Sequence, residues 1–251
     1  MGKKILFIAT NYGLWAEELQ APWDILKAAG HQLQLATFRG ITPLPGTMSM
    51  DPKWIDPQQG VAMDPQAVVD RVNEILDTGE WANPIRTGDA NMDDYDALVL
   101  VGGAGSALDI AGNMDVHRLI LQAYKSGKTV GALCYAVGAL ALTRDPDNDF
   151  KSVIYGKHVT AHPHAWDCVG DHNYQVIRPS ADNHSTDLIT NGFVFPLQFL
   201  VEDAVGSRAL VSSDPKTSRQ RPSVVYDAPF VTGLSVESSS AYGKKLAEVL
   251  A

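Results

Sequence analysis

The 251-residue chain has only two cysteines, Cys134 and Cys168. A pair of cysteines cannot staple a chain of this length, so a disulfide framework is excluded. Basic residues are also scarce. Lys and Arg number 20 against 29 Asp and Glu, a formal net charge of −9. Nucleic-acid recognition wants a basic stripe, so nucleic acid is not an expected partner. No apolar run reaches the ~20 residues of a membrane-crossing helix, so no membrane partner is expected either. Met1-Gly-Lys-Lys runs straight into an apolar strand pattern and leaves no room for the apolar segment of a signal peptide. The expected location is cytoplasmic. Internal repeats, low-complexity segments and long linkers are missing, and one domain over residues 1–251 is expected.

What is present is apolar material in periodic blocks, 45% of the residues. Lys4–Thr10, Tyr95–Val101 and the run through Val130, Ala132 and Leu133 read as apolar strands covered on both faces, and His31–Thr37 as a further strand. Between them, residues 16–30, Pro65–Leu76 and Val116–Lys125 carry apolar residues at helical spacing. Gly30 stops the first helix, and Pro22 is tolerable only near a first turn. The βαβαβ order implies a parallel sheet with helices on both sides. Residues 39–64 are rich in Pro, Gly, Met and Asp and predict a long loop over one end of the sheet. Thr78–Asp93 reads as irregular. Gly156–His162, Tyr174–Arg178 and Asp187–Thr190 predict short strands, with Asn191-Gly192 as a turn. Phe195–Val205 predicts a helix, Ser223–Tyr226 with Phe230–Thr232 a hairpin, and Ser238–Leu250 a terminal helix.

Cys134 stands where the fourth strand meets a small-residue helix. A residue on a sharp strand-to-helix turn is pushed out at the carboxyl edge of the sheet, where open α/β folds build their sites. The following helix N-terminus favours negative charge and is expected to lower the thiol pKa. Gly102-Gly103-Ala104-Gly105, directly after the third strand, lets backbone amides turn toward an anion. These amides and that of Tyr135 are candidates for an oxyanion cradle. His158, His162, His164, Cys168 and His172 lie close together in sequence. The first, second and third share a parity that faces one side of a strand. Pro163 interrupts that strand, so a metal site is the minority reading and none is expected.

Val99-Leu-Val-Gly-Gly-Ala-Gly, Gly131-Ala-Leu-Cys134 and Thr232-Gly-Leu-Ser-Val-Glu-Ser-Ser-Ser, in that order, resemble the ThiJ/PfpI superfamily of the class I glutamine amidotransferase-like fold. Glu18 four residues before Pro22, and Phe195-Pro-Leu-Gln-Phe-Leu-Val-Glu-Asp203, resemble its glyoxalase III and chaperone branch. The resemblance implies a flavodoxin-like α/β three-layer sandwich with a mostly parallel central sheet, a long loop insertion and a small added β-hairpin. It implies that Cys134 is the nucleophile and Glu18 the acid whose carboxyl contacts the sulfur. The branch places His directly after the cysteine and often between the glycines; here Tyr135 and Ala104 stand there. His162 on the Val159-Thr-Ala-His run resembles a histidine that lies near the cysteine in other members, and is the expected base. The late His-x-Glu pair of true glutamine amidotransferases has no counterpart.

The implied activity is cofactor-independent, glyoxalase III-like conversion of a small 2-oxoaldehyde to a 2-hydroxy acid. Gly103, Ala104 and Tyr135 would hold the oxyanion, and Trp15 and Tyr135 would wall the pocket. Isonitrile hydration or another lyase or hydrolase step is the alternative. A stress holdase or redox sensor is a third reading, with Met48, Met50, Trp54 and Met63 as an exposed client-binding patch. A homodimer is expected by resemblance.

Overall fold

A computed structural model describes residues 2–56, 59–167, 178, 182–187, 193–207 and 209–251. Eleven strands occur among them: β1 Lys4–Ala9, β2 Gln32–Thr37, β3 Ile85–Arg86, β4 Ala97–Leu100, β5 Thr129–Leu133, β6 Arg144–Asp145, β7 Lys151–Ser152, β8 Val159–Thr160, β9 Val211–Ser212, β10 Val224–Asp227 and β11 Phe230–Gly233. The helices are α1 Ala16–Ala28, α2 Gln66–Thr78, α3 Ser106–Asp109, α4 Met114–Lys125, α5 Val137–Leu142, α6 Leu197–Val205 and α7 Ser239–Val249.

Seven strands form the central sheet in the order β10-β11-β5-β4-β1-β2-β3. Every pairing in it is parallel except β10 with β11. The chain runs outward from β1 through β2 to β3, then returns to β4 on the other flank of β1. That reversal between β1 and β4 opens a crevice at the carboxyl ends of the strands. Continuous apolar runs explain the middle of the sheet. Ile5–Ala9, Ala97–Leu100 and Val130–Leu133 are buried throughout. Helices α1, α2 and α7 pack together, as do α4, α5 and α6, and the sheet lies between the two groups.

Several expectations change in detail. The expected hairpin is not an appendage: β11 pairs in parallel with β5, Phe230 opposite Val130 and Gly233 opposite Leu133, so β10 and β11 complete the central sheet. Its apolar Phe230 and Val231 are wholly buried, which a solvated hairpin would not allow. The strand expected over Gly156–His162 shrinks to β8, which pairs with β9 rather than joining the main sheet. The irregular stretch before β4 contains β3, whose two residues are too few to leave a periodic signal. Pro22 lies in the middle of α1, not its first turn. The missing Pro22 N–H leaves the Glu18 carbonyl without its usual intrahelical donor. Met48, Met50 and Met63 are buried, and Trp54 is half-buried, so those residues do not form the exposed patch that client binding needs. The Tyr174–Arg178 and Asp187–Thr190 strands and the Asn191-Gly192 turn fall wholly or largely outside the described residues.

Helices α1 and α7 cross at Gly243. A Cβ there would stand 2.9 Å from Pro22 Cα and 2.9 Å from Ile25 Cδ1. Gly243→Leu should therefore push α7 off α1 and cost about 1–3 kcal/mol by overpacking. Urea unfolding measures it, and unchanged stability would contradict this account of the crossing.

Candidate active site

Strand β5 delivers Leu133 in extended conformation, and Cys134 then takes φ +55°, the left-handed region that side-chain-bearing residues avoid. Such a residue costs roughly 1–2 kcal/mol and persists only where its surroundings enforce it. A short 3-10 turn over Cys134–Ala136 leads into α5. The turn leaves the sulfur facing the crevice between β1 and β4, and Cys134 is only 4% exposed.

Three strand ends close on this sulfur, and glycine makes the closure possible. A Cβ at Gly102 would collide with the Glu18 carboxylate and stand 2.5 Å from the Leu133 carbonyl oxygen and 2.8 Å from Cys134 Cβ. Gly103 sits at φ +107°, and a Cβ there would collide with the Trp15 amide. The Trp15 N–H donates to the Gly102 carbonyl at 3.4 Å and the Gly105 N–H to the Gly13 carbonyl at 3.2 Å, which seams the loop after β1 to the loop after β4. The amides of Gly103 and Tyr135 act on the Cys134 sulfur and favour its charged form. Ala104 instead contributes its methyl group: with Met48 it forms a small apolar cluster packed against Trp15 and Trp54. The two indole rings lie 6.4 Å apart.

Glu18 enters from the first turn of α1, essentially sealed from solvent. Its Oε2 and the Cys134 Cβ both stand within 2.8 Å of the place a Gly102 Cβ would take, so the carboxyl lies close to the Cys134 side chain. Burial raises the Glu18 pKa well above the carboxylate range, outweighing the sulfur contact, and the nearby carboxyls of Glu237, Asp64 and Glu17 add to the rise. The thiol is also raised well above its ordinary value. Burial is the main cause, the Glu18 carboxyl adds to it, and the Tyr135 and Gly103 amides oppose it. This corrects the expectation of a lowered thiol pKa. The helix after the turn is short, and desolvation outweighs its N-terminus. Whichever group gives up the first proton, the remaining one lies between carboxyl and sulfur. Two amides facing the sulfur favour leaving the charge there.

A second group sits beside this pair. The Tyr135 ring stacks on His162 with centroids 4.6 Å apart. The Tyr135 hydroxyl donates to Asp167 Oδ1, and His162 Nδ1 lies 2.9 Å from that same oxygen. Asp167 Oδ2 accepts the Leu197 N–H at 3.2 Å. Burial alone would raise the Asp167 pKa, but His162, the Tyr135 hydroxyl and the Leu197 amide reverse the sign and hold it below the ordinary value. Asp167 thus sets its carboxylate against the Nδ1 side of the imidazole, close enough for an ion pair though without the angle of a hydrogen bond. The other histidines disperse. His158 Nε2 lies 2.9 Å from Ser212 Oγ, and the His164 ring stacks on Phe199 at 5.3 Å. Among the described residues no group of three His, Cys, Asp or Glu is placed to hold a metal ion. Cys168 and His172 lie outside them.

Sequence reading missed Asp167, Glu17, Asp64, Arg219 and Glu237. Arg219 forks onto Glu17, Nη1 to Oε1 at 2.7 Å and Nη2 to Oε2 at 2.5 Å, and lies 3.7 Å from Asp64. The Trp15 indole N–H donates to Asp64 Oδ1 at 3.1 Å. These residues come from separated segments without a shared motif. Only Glu237 lies inside a run that carries the family resemblance.

The raised Glu18 pKa carries a stability consequence. Below the ordinary carboxyl value of about 4.3, Glu18 is protonated in both folded and unfolded chains. As pH rises above it, the unfolded chain releases the proton while the fold retains it, so the Glu18 contribution to stability falls. Glu18→Gln should therefore gain stability relative to wild type between pH 4 and 8, by roughly 1.4 kcal/mol per unit of pKa elevation. Urea unfolding across that range checks it; a pH-independent difference would contradict the buried proton.

A family model described as the DJ-1/PfpI family matches residues 3–248. The chain is 23% identical over 175 residues to glutathione-independent glyoxalase hsp3102 of Schizosaccharomyces pombe, covering 64% of this chain and 68% of that protein. Among solved structures, glyoxalase III of Candida albicans superposes with a TM-score of 0.72 at 18% identity, covering 98% of this chain and 96% of that one. Rapid Encystment Protein 24 kDa of Francisella tularensis gives 0.72 at 20% identity over 99% of each chain. The chain belongs to the DJ-1/PfpI family.

Proposed function

We propose that the protein is a cofactor-independent cysteine enzyme that converts a small 2-oxoaldehyde and water to a 2-hydroxy acid. The observation that carries this reading is the buried Glu18 carboxyl lying close to Cys134, at a bend where Cys134 takes a left-handed backbone and Gly102 leaves room for both. A pair that holds one proton between carboxyl and sulfur is suited to adding to a carbonyl. The sulfur attacks the aldehyde carbon as the oxygen takes that proton, giving a hemithioacetal and leaving Glu18 ionised. The amides of Gly103 and Tyr135 stabilise the oxygen charge on the way. Glu18, now ionised, takes the proton from that carbon and returns it to the neighbouring ketone carbon, while the hydroxyl proton passes to the ketone oxygen. The carbon skeleton is unchanged, the first carbon is oxidised to a thioester and the second reduced to an alcohol. Water then attacks the thioester, releasing the hydroxy acid and the free thiol. His162, paired with Asp167, would accept the proton from that water. The relatives named as glyoxalases support this chemistry. The apolar wall of Trp15, Trp54, Met48 and Ala104 suits a small substrate.

Incubation with methylglyoxal should yield lactate with the wild type and none with Cys134→Ser. Glu18→Gln should lose about 10²–10⁴ in kcat, the usual worth of a general acid–base. His162→Ala should accumulate a lactoyl adduct on Cys134, visible by intact mass. Lactate formed by Cys134→Ser would exclude the covalent route.

A further inference from the structure

The turn that carries Glu18 is weakly held by its own helix. Trp15, at the N-cap of α1, makes no side-chain cap, and Pro22 leaves the Glu18 carbonyl without its intrahelical donor. Groups from outside the helix hold it instead. Ser49 Oγ accepts the Ala16 N–H at 3.1 Å, and Asp64 Oδ1 accepts the Trp15 indole N–H at 3.1 Å. A further tie comes from the connection between β9 and β10. There Ser218 and Arg221 exchange backbone hydrogen bonds of 3.2 and 2.9 Å, which closes a two-residue turn with Arg219 at its tip. The Arg221 guanidinium braces this turn on Asp214, and Thr217 Oγ donates to the Asp214 carbonyl at 2.7 Å. From the exposed tip Arg219 reaches inward. It forks onto Glu17 through Nη1 and Nη2, donates to the Met63 carbonyl at 2.5 Å and stands 3.7 Å from Asp64. Side-chain exposure falls along this path, from 35% at Arg219 to 6% at Glu17 and 0% at Asp64.

We infer that Arg219 is a positioning residue, which clamps the first turn of α1 through Glu17 so that the next residue, Glu18, presents its carboxyl to Cys134. The inference rests on Glu18 and Cys134 being a reacting pair, not on which carbonyl compound they take. A bidentate fork fixes the plane of a carboxylate as well as its distance, which a lysine's point charge does not. Glu17 and Glu18 share one helical turn, so fixing the first side chain limits the rotation of the second. A buried carboxylate deprived of its cation must find water or another partner. For Glu17 that means swinging outward, and the turn moves with it. The fit of Glu18 leaves little tolerance for such a swing, since its carboxyl occupies the space beside Gly102 that any Cβ would fill. A small misplacement of a reacting group is costly to rate. The braced turn beneath Arg219 is what a clamp needs, because an arm on a loose loop would fix nothing.

The pH profile of Cys134 alkylation by iodoacetamide tests this without turnover, with peptide mass mapping to separate Cys168. Arg219→Gln should move the profile in the direction in which Glu18→Gln moves it, and should add nothing in a Glu18→Gln background, because Arg219 acts through Glu18. Arg219→Lys keeps the charge and loses the fork. It should show most of the same shift, and it carries the test if Arg219→Gln does not fold. On methylglyoxal, either variant should lose about 10–10²-fold in kcat with KM nearly unchanged. An alkylation profile superimposable on wild type in either variant would overturn the inference. So would a shift that persists undiminished in the Glu18→Gln background, or a wild-type Cys134 silent to iodoacetamide at every pH. The expected profiles without lactate formation by the wild type would support the inference and count against the glyoxalase reading alone.

Discussion

The site depends on one close approach, between an acid on the first helix and a cysteine 116 residues later. Bringing them together requires β1 and β5 to flank β4, so that the start of α1 and the end of β5 open onto one crevice. It also requires the β4 loop to lie flat between them. Gly102 is the residue that permits this, because any Cβ would occupy the space of the Glu18 carboxyl. The left-handed backbone at Cys134 is the local cost of turning the sulfur toward that acid. The parallel sheet, buried on both faces, supplies the rigidity that keeps such a residue in place.

Burial sets the chemistry of the pair. In water Glu18 would ionise first and the thiol much later. In the closed site both charged forms are disfavoured, and a proton is retained between them. The two amides directed at the sulfur tilt this balance toward sulfur without adding charge. The Tyr135–Asp167–His162 group adds an imidazole where this chain lacks histidine directly after the cysteine. Tyr135 fills that position with a ring that stacks on the imidazole and a hydroxyl that shares its carboxylate.

Much of the fold was legible because buried parallel strands leave continuous apolar runs. Ile5–Ala9, Ala97–Leu100 and Val130–Leu133 are such runs, and the helices between them are periodic. The elements that escaped are those whose pairing is decided elsewhere. β3 has two residues, and β11 reads as half a hairpin until β5 is seen beside it. Cys134 was legible from its place after a strand, and Glu18 only through family resemblance, since an acid in a first turn is ordinarily solvated. Asp167, Asp64 and Arg219 carry no local pattern. Their roles arise from contacts spanning up to 202 residues, as between Arg219 and Glu17. The thiol pKa was misjudged because helix termini are visible in sequence while desolvation is not.

The central claim is that Glu18 holds a proton at neutral pH and shares it with Cys134. Infrared difference spectroscopy of wild type, Glu18→Gln and Cys134→Ser tests this directly. A protonated-carboxyl carbonyl band at neutral pH that vanishes in Glu18→Gln and shifts in Cys134→Ser is the predicted result. A Glu18 signal typical of an ionised carboxylate, indifferent to the loss of the sulfur, would contradict the account.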